Sequence, residues 1–411
     1  MNKALVLLGC VSIAGCATGT GSTLPTAFTP NASSARHFQP LTRGGNPSPS
    51  NPTIYLFQGQ PDGGAPYAGL VNVSGTLYGT TSAGGKHNLG TVFSVTPAGS
   101  ETILHSFKGA PDGNLPYASL TYVRGKLYGT TYNGGTSNTG TVFSITMSGK
   151  EKVLHSFGSG SDGTSPQSDL FYHDGALYGT TYSGGANGAG TVFKVALSGA
   201  ESVVYSFKAP STDGRGPTAG VIYYQGAFYG TTYSGGIGTS TSDGTVFKLT
   251  PSGTETVLHT FTGNPDGSEP SGDLVEYGGN LYGTTYSGGS YSAPSDHGGT
   301  VFEITRKGKL TVLYSFGGPD SNVDQVSPQA GLLNVGGTFY GTVSGANAAG
   351  AVFAITPGSP ASFVYQFNRN GPSGSPDQPL GGVINLSGTL YGTTVSNVGQ
   401  AGEGTVFAVP L

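Results

Sequence analysis

The chain has 411 residues, of which only 9% are charged, and its formal net charge is −4. A protein that binds nucleic acid neutralises phosphates with a basic surface, so this composition excludes DNA and RNA as expected partners. Glycine contributes 73 residues and proline 26, which alone would suggest a low-complexity chain. A tandem repeat with regularly placed apolar residues excludes that interpretation and favours one closed repeat domain.

The first 16 residues have the features of a secretory signal peptide. Lys3 precedes an apolar run over residues 4–15, about half the length that crosses a bilayer. The run ends in IAGC at residues 13–16, which resembles the lipobox of bacterial lipoproteins. That resemblance implies that Cys16 is lipidated and becomes the first mature residue, whereas the alternative is an ordinary secretory signal. Ala17 is similar to the pattern of lipoproteins sent to the outer membrane, so we expect a bacterial envelope location.

Residues 17–51 are rich in Ala, Thr, Gly, Ser, Pro and Asn and show no sustained apolar period. We expect them to form a disordered tether between the anchor and a folded domain of residues 52–411. The only cysteines are Cys10 and Cys16. Because both belong to the signal segment, the folded domain is expected to have no disulfide.

One segment then recurs to the end of the chain. Its most constant part is LYGTTYNGG followed by GTVF, as at residues 127–135 and 140–143. The repeated tyrosine occurs at Tyr78, Tyr128, Tyr178, Tyr229, Tyr282, Tyr340 and Tyr391. Seven copies at steps of 50 to 58 residues predict a repeat architecture.

Each copy contains four short extended segments rich in β-branched and aromatic residues. In the second copy they cover residues 117–123, 126–132, 141–146 and 152–157. Short glycine turns join the first two and the last two, as in β-hairpins, and glycine interrupts every helical period. Four antiparallel strands in each of seven copies predict an all-β, seven-bladed β-propeller.

The two ends of the chain predict how the ring closes. The last copy ends with its third strand, at residues 404–409, and lacks a fourth. Residues 53–57 match the fourth strand of the other copies, such as residues 153–157. We therefore expect the N-terminal strand to complete the last blade and to cover its open edge.

The pattern GxLYGTT, GG, GTVF, VLHSF and DGxxP resembles the choice-of-anchor GloVer tandem-repeat family of bacteria over residues 53–411. The resemblance implies a surface-attached repeat protein and brings no activity with it. The repeat is more distantly similar to kelch repeats, from which it departs because the chain has no tryptophan. Phenylalanine takes the outer-strand position, at Phe107, Phe157, Phe207, Phe261, Phe316 and Phe367.

Several repeated polar residues are interpreted as structural. Histidine and tyrosine exchange at one outer-strand position, which holds His105, His155 and His259 in three copies and Tyr55, Tyr205, Tyr314 and Tyr365 in four others. We therefore interpret the side chain at this position as a packing residue with a polar end. An aspartate precedes glycine in five links, at Asp62, Asp112, Asp162, Asp213 and Asp266. These are predicted to form Asx turns; the alternative is calcium, although each link brings only one carboxylate. The glutamates Glu101, Glu151, Glu201 and Glu255 are predicted to be solvated turn residues.

No phosphate-binding glycine loop, zinc-ligand spacing or Ser-His-Asp order is present in the sequence, so we expect no cofactor and no metal. Function is expected on the face that carries the links from second to third strand and from fourth strand to the next blade, because these links are long and variable. The largest departures from the period are residues 290–297 and 320–325, beside residues 237–243.

Four consecutive copies close their second strand with a tyrosine, at Tyr132, Tyr182, Tyr233 and Tyr286. Tyrosine rings stack well on sugar rings, so these residues are candidate ligand contacts; the alternative is packing between blades. The candidate loop residues beside them are Asp243, Tyr291, Asp296 and His297.

The sequence therefore favours a monomeric binding or scaffolding module, held to the membrane through Cys16, with a glycan or an envelope protein as partner. The alternative is a propeller enzyme that acts as a hydrolase or lyase on polysaccharide, with Asp296, Asp320 or Asp324 as candidate carboxylates. Glycosidases need two carboxyl groups at a set separation, and the sequence establishes no such pair. Two carboxylates converging in a pocket would favour the enzyme, whereas a flat, neutral face would favour binding.

Overall fold

The structure is a computed structural model in which all assigned elements are β-strands. It describes residues 42–43, 51–158, 161–208, 213–236, 243–290, 298–318, 326–345, 350–368, 370, 373–398 and 403–411. Within these ranges, no helix has the length and hydrophobicity of a membrane span.

The strands form seven antiparallel sheets, called blades 1 to 7, and the chain is an all-β, seven-bladed β-propeller as predicted. The first strands are Val71–Val73, Thr121–Val123, Phe171–His173, Ile222–Tyr224, Val275–Tyr277, Leu333–Val335 and Ile384–Leu386. The second strands are Thr76–Thr81, Lys126–Thr131, Ala176–Gly184, Ala227–Thr232, Asn280–Thr285, Thr338–Gly345 and Thr389–Thr394. The third strands are Thr91–Val95, Thr141–Thr146, Thr191–Ala196, Thr245–Leu249, Gly299–Ile304, Ala351–Ile355 and Thr405–Pro410. The fourth strands of blades 1 to 6 are Glu101–Ser106, Glu151–Ser156, Glu201–Ser206, Glu255–Thr260, Leu310–Phe316 and Ser362–Gln366.

Short strands extend this framework. Gly163–Pro166 pairs with the second strand of blade 3, Val326–Pro328 pairs with that of blade 6, and Thr42–Arg43 lies parallel to the fourth strand of blade 6. Elsewhere, two-residue strands pair the incoming link with the end of the second strand: Gly63–Gly64 with Ala83–Gly84, Gly113–Asn114 with Asn133–Gly134, Gly214–Arg215 with Ser234–Gly235, and Pro376–Asp377 with Ser396–Asn397.

The outermost strand of blade 7 comes from the N-terminal side of the ring. Thr53–Leu56 pairs antiparallel with Thr405–Pro410, with Thr53 opposite Phe407 and Leu56 opposite Thr405. The register shift in this pair also occurs between the third and fourth strands of the other blades, as at Val142 and Phe143. Thr53–Leu56 therefore occupies the position that the fourth strand takes elsewhere.

Aromatic rings join each blade to the next. The phenylalanine after a fourth strand meets the third-strand phenylalanine of the following blade edge to face, as Phe107 does with Phe143 at 5.3 Å between ring centroids. Both rings are fully buried. The same contact recurs between Phe57 and Phe93 at 5.0 Å, which joins blade 7 to blade 1. Burial of large rings at every blade boundary is a principal source of the ring's stability.

The constant YGTT sequence is explained by the contacts of each residue. A β-carbon at Gly129 would lie 2.7 Å from the Phe143 ring, so only glycine allows that ring to pack. Thr131 shares a buried hydrogen bond with Thr141, at 2.8 Å between hydroxyl oxygens. Blade 6 places Val343 opposite Ala351 at this position, so both hydroxyls are replaced together by apolar groups.

The other threonine of each pair reaches the neighbouring blade. Thr80 Oγ1 donates to the Ala118 carbonyl at 3.0 Å, and Thr180 Oγ1 donates to the Ala219 carbonyl at 2.8 Å. Blade 7 makes the same bond to blade 1, from Thr393 Oγ1 to the Ala68 carbonyl at 2.7 Å. These carbonyls belong to the links that enter the first strands, so the repeat holds those links at fixed positions.

The first predicted strand of the second copy was too long. Strand pairing in blade 2 begins at Thr121 rather than Tyr117. The backbone of residues 117–120 is bonded to neighbouring blades instead, because Ala118 accepts from Thr80 and the Ser119 N–H donates to Asp169. This segment is a wall of the cavity at the centre of the ring.

Candidate functional site

A cavity of about 380 Å³ lies at the centre of the propeller and is called the axial cavity. All seven links that enter the first strands contribute to its wall, including Tyr67, Tyr117, Asp169, Thr218, Asp273, Gln329 and Gly382. Hydroxyl, amide and carboxylate groups face the cavity together with small residues. A polar, solvent-accessible cavity of this size fits a small hydrophilic ligand.

Two aspartates form an acidic side of this cavity. They occupy the same register position, two residues before the first strand, in blades 3 and 5. Asp169 Oδ1 accepts from the Ser119 N–H at 2.6 Å, and Asp273 Oδ1 accepts from the Gly220 N–H at 2.6 Å. Each carboxyl is thus held by the backbone of the preceding blade, which fixes its direction.

The two carboxyl groups influence each other. Burial raises the pKa of Asp273 to about 7, and the nearby charge of Asp169 adds to this effect. Burial also raises the pKa of Asp169, while the Ser119 N–H opposes the rise. Two interacting carboxyls of this kind lose their protons in separate steps.

Gly220 makes room for this arrangement. It lies in blade 4, between the blades that carry the two aspartates, at the equivalent position. A β-carbon there would lie 2.8 Å from the Asp169 carbonyl oxygen and 3.3 Å from Asp273 Oδ2. Any side chain at residue 220 would therefore clash with the Asp169 carbonyl and crowd the Asp273 carboxylate.

Aromatic residues contribute another part of the cavity wall. The Tyr67 and Tyr117 rings meet edge to face at 5.2 Å, and Tyr132 packs against Tyr117 at 5.6 Å. Burial raises the pKa of Tyr117 to about 12, with Tyr67 and Tyr132 adding to the effect, so its hydroxyl stays protonated near neutral pH. The cavity thus combines tyrosine rings, which offer apolar faces, with carboxylates, which accept hydrogen bonds.

Comparison with family models identifies the chain. Three overlapping matches to the Gloeobacter/Verrucomicrobia repeat cover residues 46–241, 149–346 and 237–411. The chain belongs to the Gloeobacter/Verrucomicrobia repeat family. The family resemblance inferred from the repeat sequence is thereby confirmed, and a comparison with curated proteins finds no match.

Solved structures similar to this Gloeobacter/Verrucomicrobia repeat protein share its fold at low sequence identity. Virginiamycin B lyase from Staphylococcus aureus is 16% identical, with a TM-score of 0.56 over 84% of this chain and 94% of that protein. The periplasmic gluconolactonase of Pseudomonas aeruginosa is 17% identical, with a TM-score of 0.52 over 81% of this chain and 98% of that one. Quinohemoprotein alcohol dehydrogenase from Comamonas testosteroni is 10% identical, with a TM-score of 0.52 over 86% and 75%. These similarities show the propeller fold alone.

The predicted tyrosines of this Gloeobacter/Verrucomicrobia repeat protein lie beside links that enter first strands, three of them beside the link of their own blade and Tyr182 beside the link of the next blade. The N–H groups of Tyr132, Tyr233 and Tyr286 donate to the carbonyls of Leu115, Gly216 and Glu269. Tyr182 is 38% exposed, and its ring lies beside Gly216, where a β-carbon would be 3.0 Å from the ring. Tyr132 contacts Tyr117, and Tyr117 lines the axial cavity.

The predicted loop residues have different outcomes. The Asp243 carbonyl accepts from the Glu269 N–H at 2.8 Å, and Asp243 is not among the described residues that line the axial cavity. Tyr291, Asp296, His297, Asp320 and Asp324 lie outside the described residues, as does Cys16.

Sequence reasoning missed Asp169 and Asp273, although a signal was present. The residue two positions before the first strand is Gly69, Ser119, Asp169, Gly220, Asp273, Gly331 and Gly382 in the seven blades. Five of these residues are small and two are acidic. The two aspartates therefore depart from the repeat in charge, whereas the length of their links is ordinary.

The interpretation of the repeated outer-strand residues needs two corrections. Asp112 Oδ1 accepts from the N–H of the next residue, Gly113, at 2.8 Å rather than from the residue two positions on as in an Asx turn, and Asp112 Oδ2 lies 3.0 Å from His105 Nε2. Glu151 is not a solvated turn residue, because it begins a fourth strand and its Oε1 is buried without a hydrogen-bond partner among the described residues. Burial raises the pKa of Glu151 to about 7, and the charge of Asp112 adds to this. Glu101, Glu201 and Glu255 also have a buried, unpartnered Oε1.

Proposed function

We propose that the protein is a glycan-binding propeller of the bacterial envelope whose ligand occupies the axial cavity. The observation that carries this proposal is the combination of a tyrosine pair and a carboxylate pair in one solvent-accessible cavity. Sugar rings offer apolar C–H faces for tyrosine and hydroxyl groups that donate to carboxylates.

The electrostatics of the chain agree with this ligand class. A neutral, hydroxyl-rich ligand needs hydrogen-bond acceptors rather than a basic surface, and the chain has a net charge of −4. Asp169 is bonded to the Ser119 N–H and to the Ser119 side chain, and Asp273 Oδ1 accepts from the Gly220 N–H. A carboxylate has about four acceptor positions, so both groups retain capacity to accept from ligand hydroxyls. Gln329 also lines the cavity, and its amide adds both donor and acceptor capacity.

We expect Tyr117→Ala to weaken glycan binding at least tenfold, because it removes the central ring of the aromatic wall. The matched control is Tyr122→Ala, five residues further on, where the native side chain is 43% exposed. A glycan array followed by isothermal titration with its best ligand measures the effect. Equal loss of affinity in both variants, or no loss in Tyr117→Ala, would contradict the cavity as the binding site.

A second candidate function is cleavage of the bound glycan by the aspartate pair. The observation that favours it is that Asp169 and Asp273 both line the cavity, where burial and the nearby charge of Asp169 raise the pKa of Asp273 to about 7. Glycosidic cleavage uses one protonated carboxyl as acid and one ionised carboxyl as base or nucleophile. The carboxylates proposed for this role are thus Asp169 and Asp273 in place of Asp296, Asp320 and Asp324.

If the pair is catalytic, Asp169→Asn and Asp273→Asn each lower the rate of reducing-end release from a bound polysaccharide by at least a hundredfold. The rate of the unmodified protein then has a bell-shaped dependence on pH, because one carboxyl must be protonated and the other ionised. No release from any polysaccharide that binds would leave the protein as a binding module.

We further propose that Cys16 carries a lipid and that residues 17–51 tether the propeller to the membrane. The lipobox resemblance at residues 13–16 and the polar composition of the tether support this. We expect radiolabelled palmitate to be incorporated in a bacterial host and to be lost in Cys16→Ala but kept in Cys10→Ala. Label in the Cys16→Ala protein would rule out Cys16 as the anchor.

A further inference from the structure

Two clusters of histidine, aspartate and glutamate lie between neighbouring blades, away from the axial cavity. The first contains His105 of the blade 1 fourth strand, Asp112 of the following link and Glu151 of the blade 2 fourth strand. The second contains His155, Asp162 and Glu201 and connects blades 2 and 3 in the same way. In each cluster the potential ligand atoms lie within 4.8 Å of one another.

The first two ligand atoms are held in place by the fold. His105 Nε2 lies 3.0 Å from Asp112 Oδ2, and the His105 ring packs edge to face on Phe107 at 4.9 Å. Asp112 is fixed by the N–H groups of Lys108 and Gly113, at 3.1 and 2.8 Å. Ligand atoms about 2 Å from a tetrahedral zinc ion lie roughly 3.3 Å apart, so small adjustments bring the cluster to coordination distance.

One oxygen of the third ligand group, the glutamate, has no partner. Oε1 of Glu151 is buried and has no hydrogen-bond partner among the described residues, and the same holds for Glu201. A buried carboxylate oxygen without a partner is unfavourable, so the site gains from a cation that can accept its lone pair.

The chain contains equivalent clusters in which tyrosine replaces histidine. Tyr55 donates to Asp62 at 2.9 Å beside Glu101, and Tyr205 donates to Asp213 at 2.7 Å beside Glu255. The Oε1 atoms of Glu101 and Glu255 are also without a partner among the described residues. A hydroxyl can donate to one carboxylate and accept from a protonated second one, so protonation of the glutamate can complete a tyrosine cluster. An imidazole nitrogen carries either a proton or a lone pair and cannot do both.

We propose that each of the two His-Asp-Glu clusters binds one Zn²⁺ ion, with water as the fourth ligand, and that the ion joins adjacent blades. One nitrogen and two carboxylate oxygens suit zinc better than calcium, which requires six to eight oxygen ligands. His105 and Glu151 remain partly exposed, and the Asp112 side chain is 10% exposed, which leaves access for the ion and the water.

A third histidine provides a control within the chain. His259 Nε2 lies 2.8 Å from Asp266 Oδ2 as in the two clusters. The position of Glu151 is taken in blade 5 by Leu310, which pairs with Ile304 as Glu151 pairs with Ile145. This site offers two of the three ligands and is expected to bind zinc much more weakly.

The test uses the purified protein, first stripped with EDTA and then titrated with ZnCl₂, with bound zinc counted by plasma mass spectrometry. We expect His105→Tyr and His155→Tyr each to lower the stoichiometry by one ion, and His259→Tyr to leave it unchanged. Tyrosine already stands at the equivalent positions 55 and 205, so these substitutions are expected to preserve the fold. Zinc should raise the melting temperature of the unmodified protein and should have little effect on the double variant, because an ion that binds only the folded state stabilises it.

A second pair of variants keeps the test valid if a tyrosine variant unfolds. Glu151→Gln and Glu201→Gln retain the side-chain shape but remove a charged ligand, and each should lower zinc affinity at its cluster at least tenfold. The proposal is overturned if the unmodified protein binds no zinc, or if His105→Tyr/His155→Tyr binds as many ions as the unmodified protein.

Discussion

Deletion of residues 51–60 is expected to abolish cooperative thermal unfolding. The deletion removes Thr53–Leu56, which pairs with the third strand of blade 7, and Phe57, which packs on Phe93 of blade 1. Phe57 is fully buried, and loss of such a ring alone costs about 3–5 kcal/mol. The exposed edge of blade 7 would then be free to pair with other chains.

Calorimetry and circular dichroism of the deletion variant measure this effect. A matched control removes ten residues from the tether, at 31–40, and should melt like the unmodified protein. If the 51–60 deletion melts in the same way as the unmodified protein, the N-terminal strand does not hold the ring together.

The second large effect is a pH-dependent loss of stability caused by Asp273. Burial, with the added charge of Asp169, raises the pKa of Asp273 to about 7 in the folded protein, against about 3.9 in an unfolded chain. Between these values the native state binds more protons than the unfolded state, so the free energy of unfolding falls as the pH rises. The contribution is fully present below about pH 4 and is lost as the pH rises through 7.

We expect Asp273→Asn to remove this part of the pH dependence. The difference in unfolding free energy between about pH 5 and pH 8 should shrink by about 1–3 kcal/mol relative to the unmodified protein, less than the full shift because the carboxyl keeps contact with cavity solvent. Urea unfolding at the two pH values measures it, with Asp174→Asn in the turn after the blade 3 first strand as control. The same pH dependence in Asp273→Asn and the unmodified protein would show that this carboxyl titrates normally.

The fold could be predicted from the sequence because each blade is specified locally. Alternating apolar residues, glycine turns and the constant YGTT and GTVF stretches all lie within one copy of the repeat. The contacts that explain them are also short in sequence, such as Gly129 under Phe143 and Thr131 with Thr141.

The axial cavity could not be predicted in the same way, because its residues meet only through closure of the ring. Asp169 and Asp273 lie two blades apart in the chain, and their proximity depends on the glycine at residue 220. Variation in loop length pointed to residues 290–297 as the candidate site. The residues that mark the cavity instead vary in charge at one register position inside the repeat.

The His-Asp-Glu clusters were missed for a related reason. His105, Asp112 and Glu151 are each explained within their own copy as packing, turn and surface residues. Their contact is made between blades, so it follows from the angle at which consecutive blades pack. The exchange of histidine with tyrosine was a signal for a shared hydrogen-bond partner, which is the aspartate seven residues after His105.

The central claim is that the ligand binds in the axial cavity rather than on the variable loops. The most direct test is isothermal titration of the best array glycan into the unmodified protein, the Asp169→Asn/Asp273→Asn variant and a variant that lacks residues 290–297. The cavity site predicts that the double asparagine variant loses at least tenfold in affinity and that the loop deletion keeps its affinity. Full affinity in the asparagine variant, with loss of binding in the loop deletion, would contradict the account.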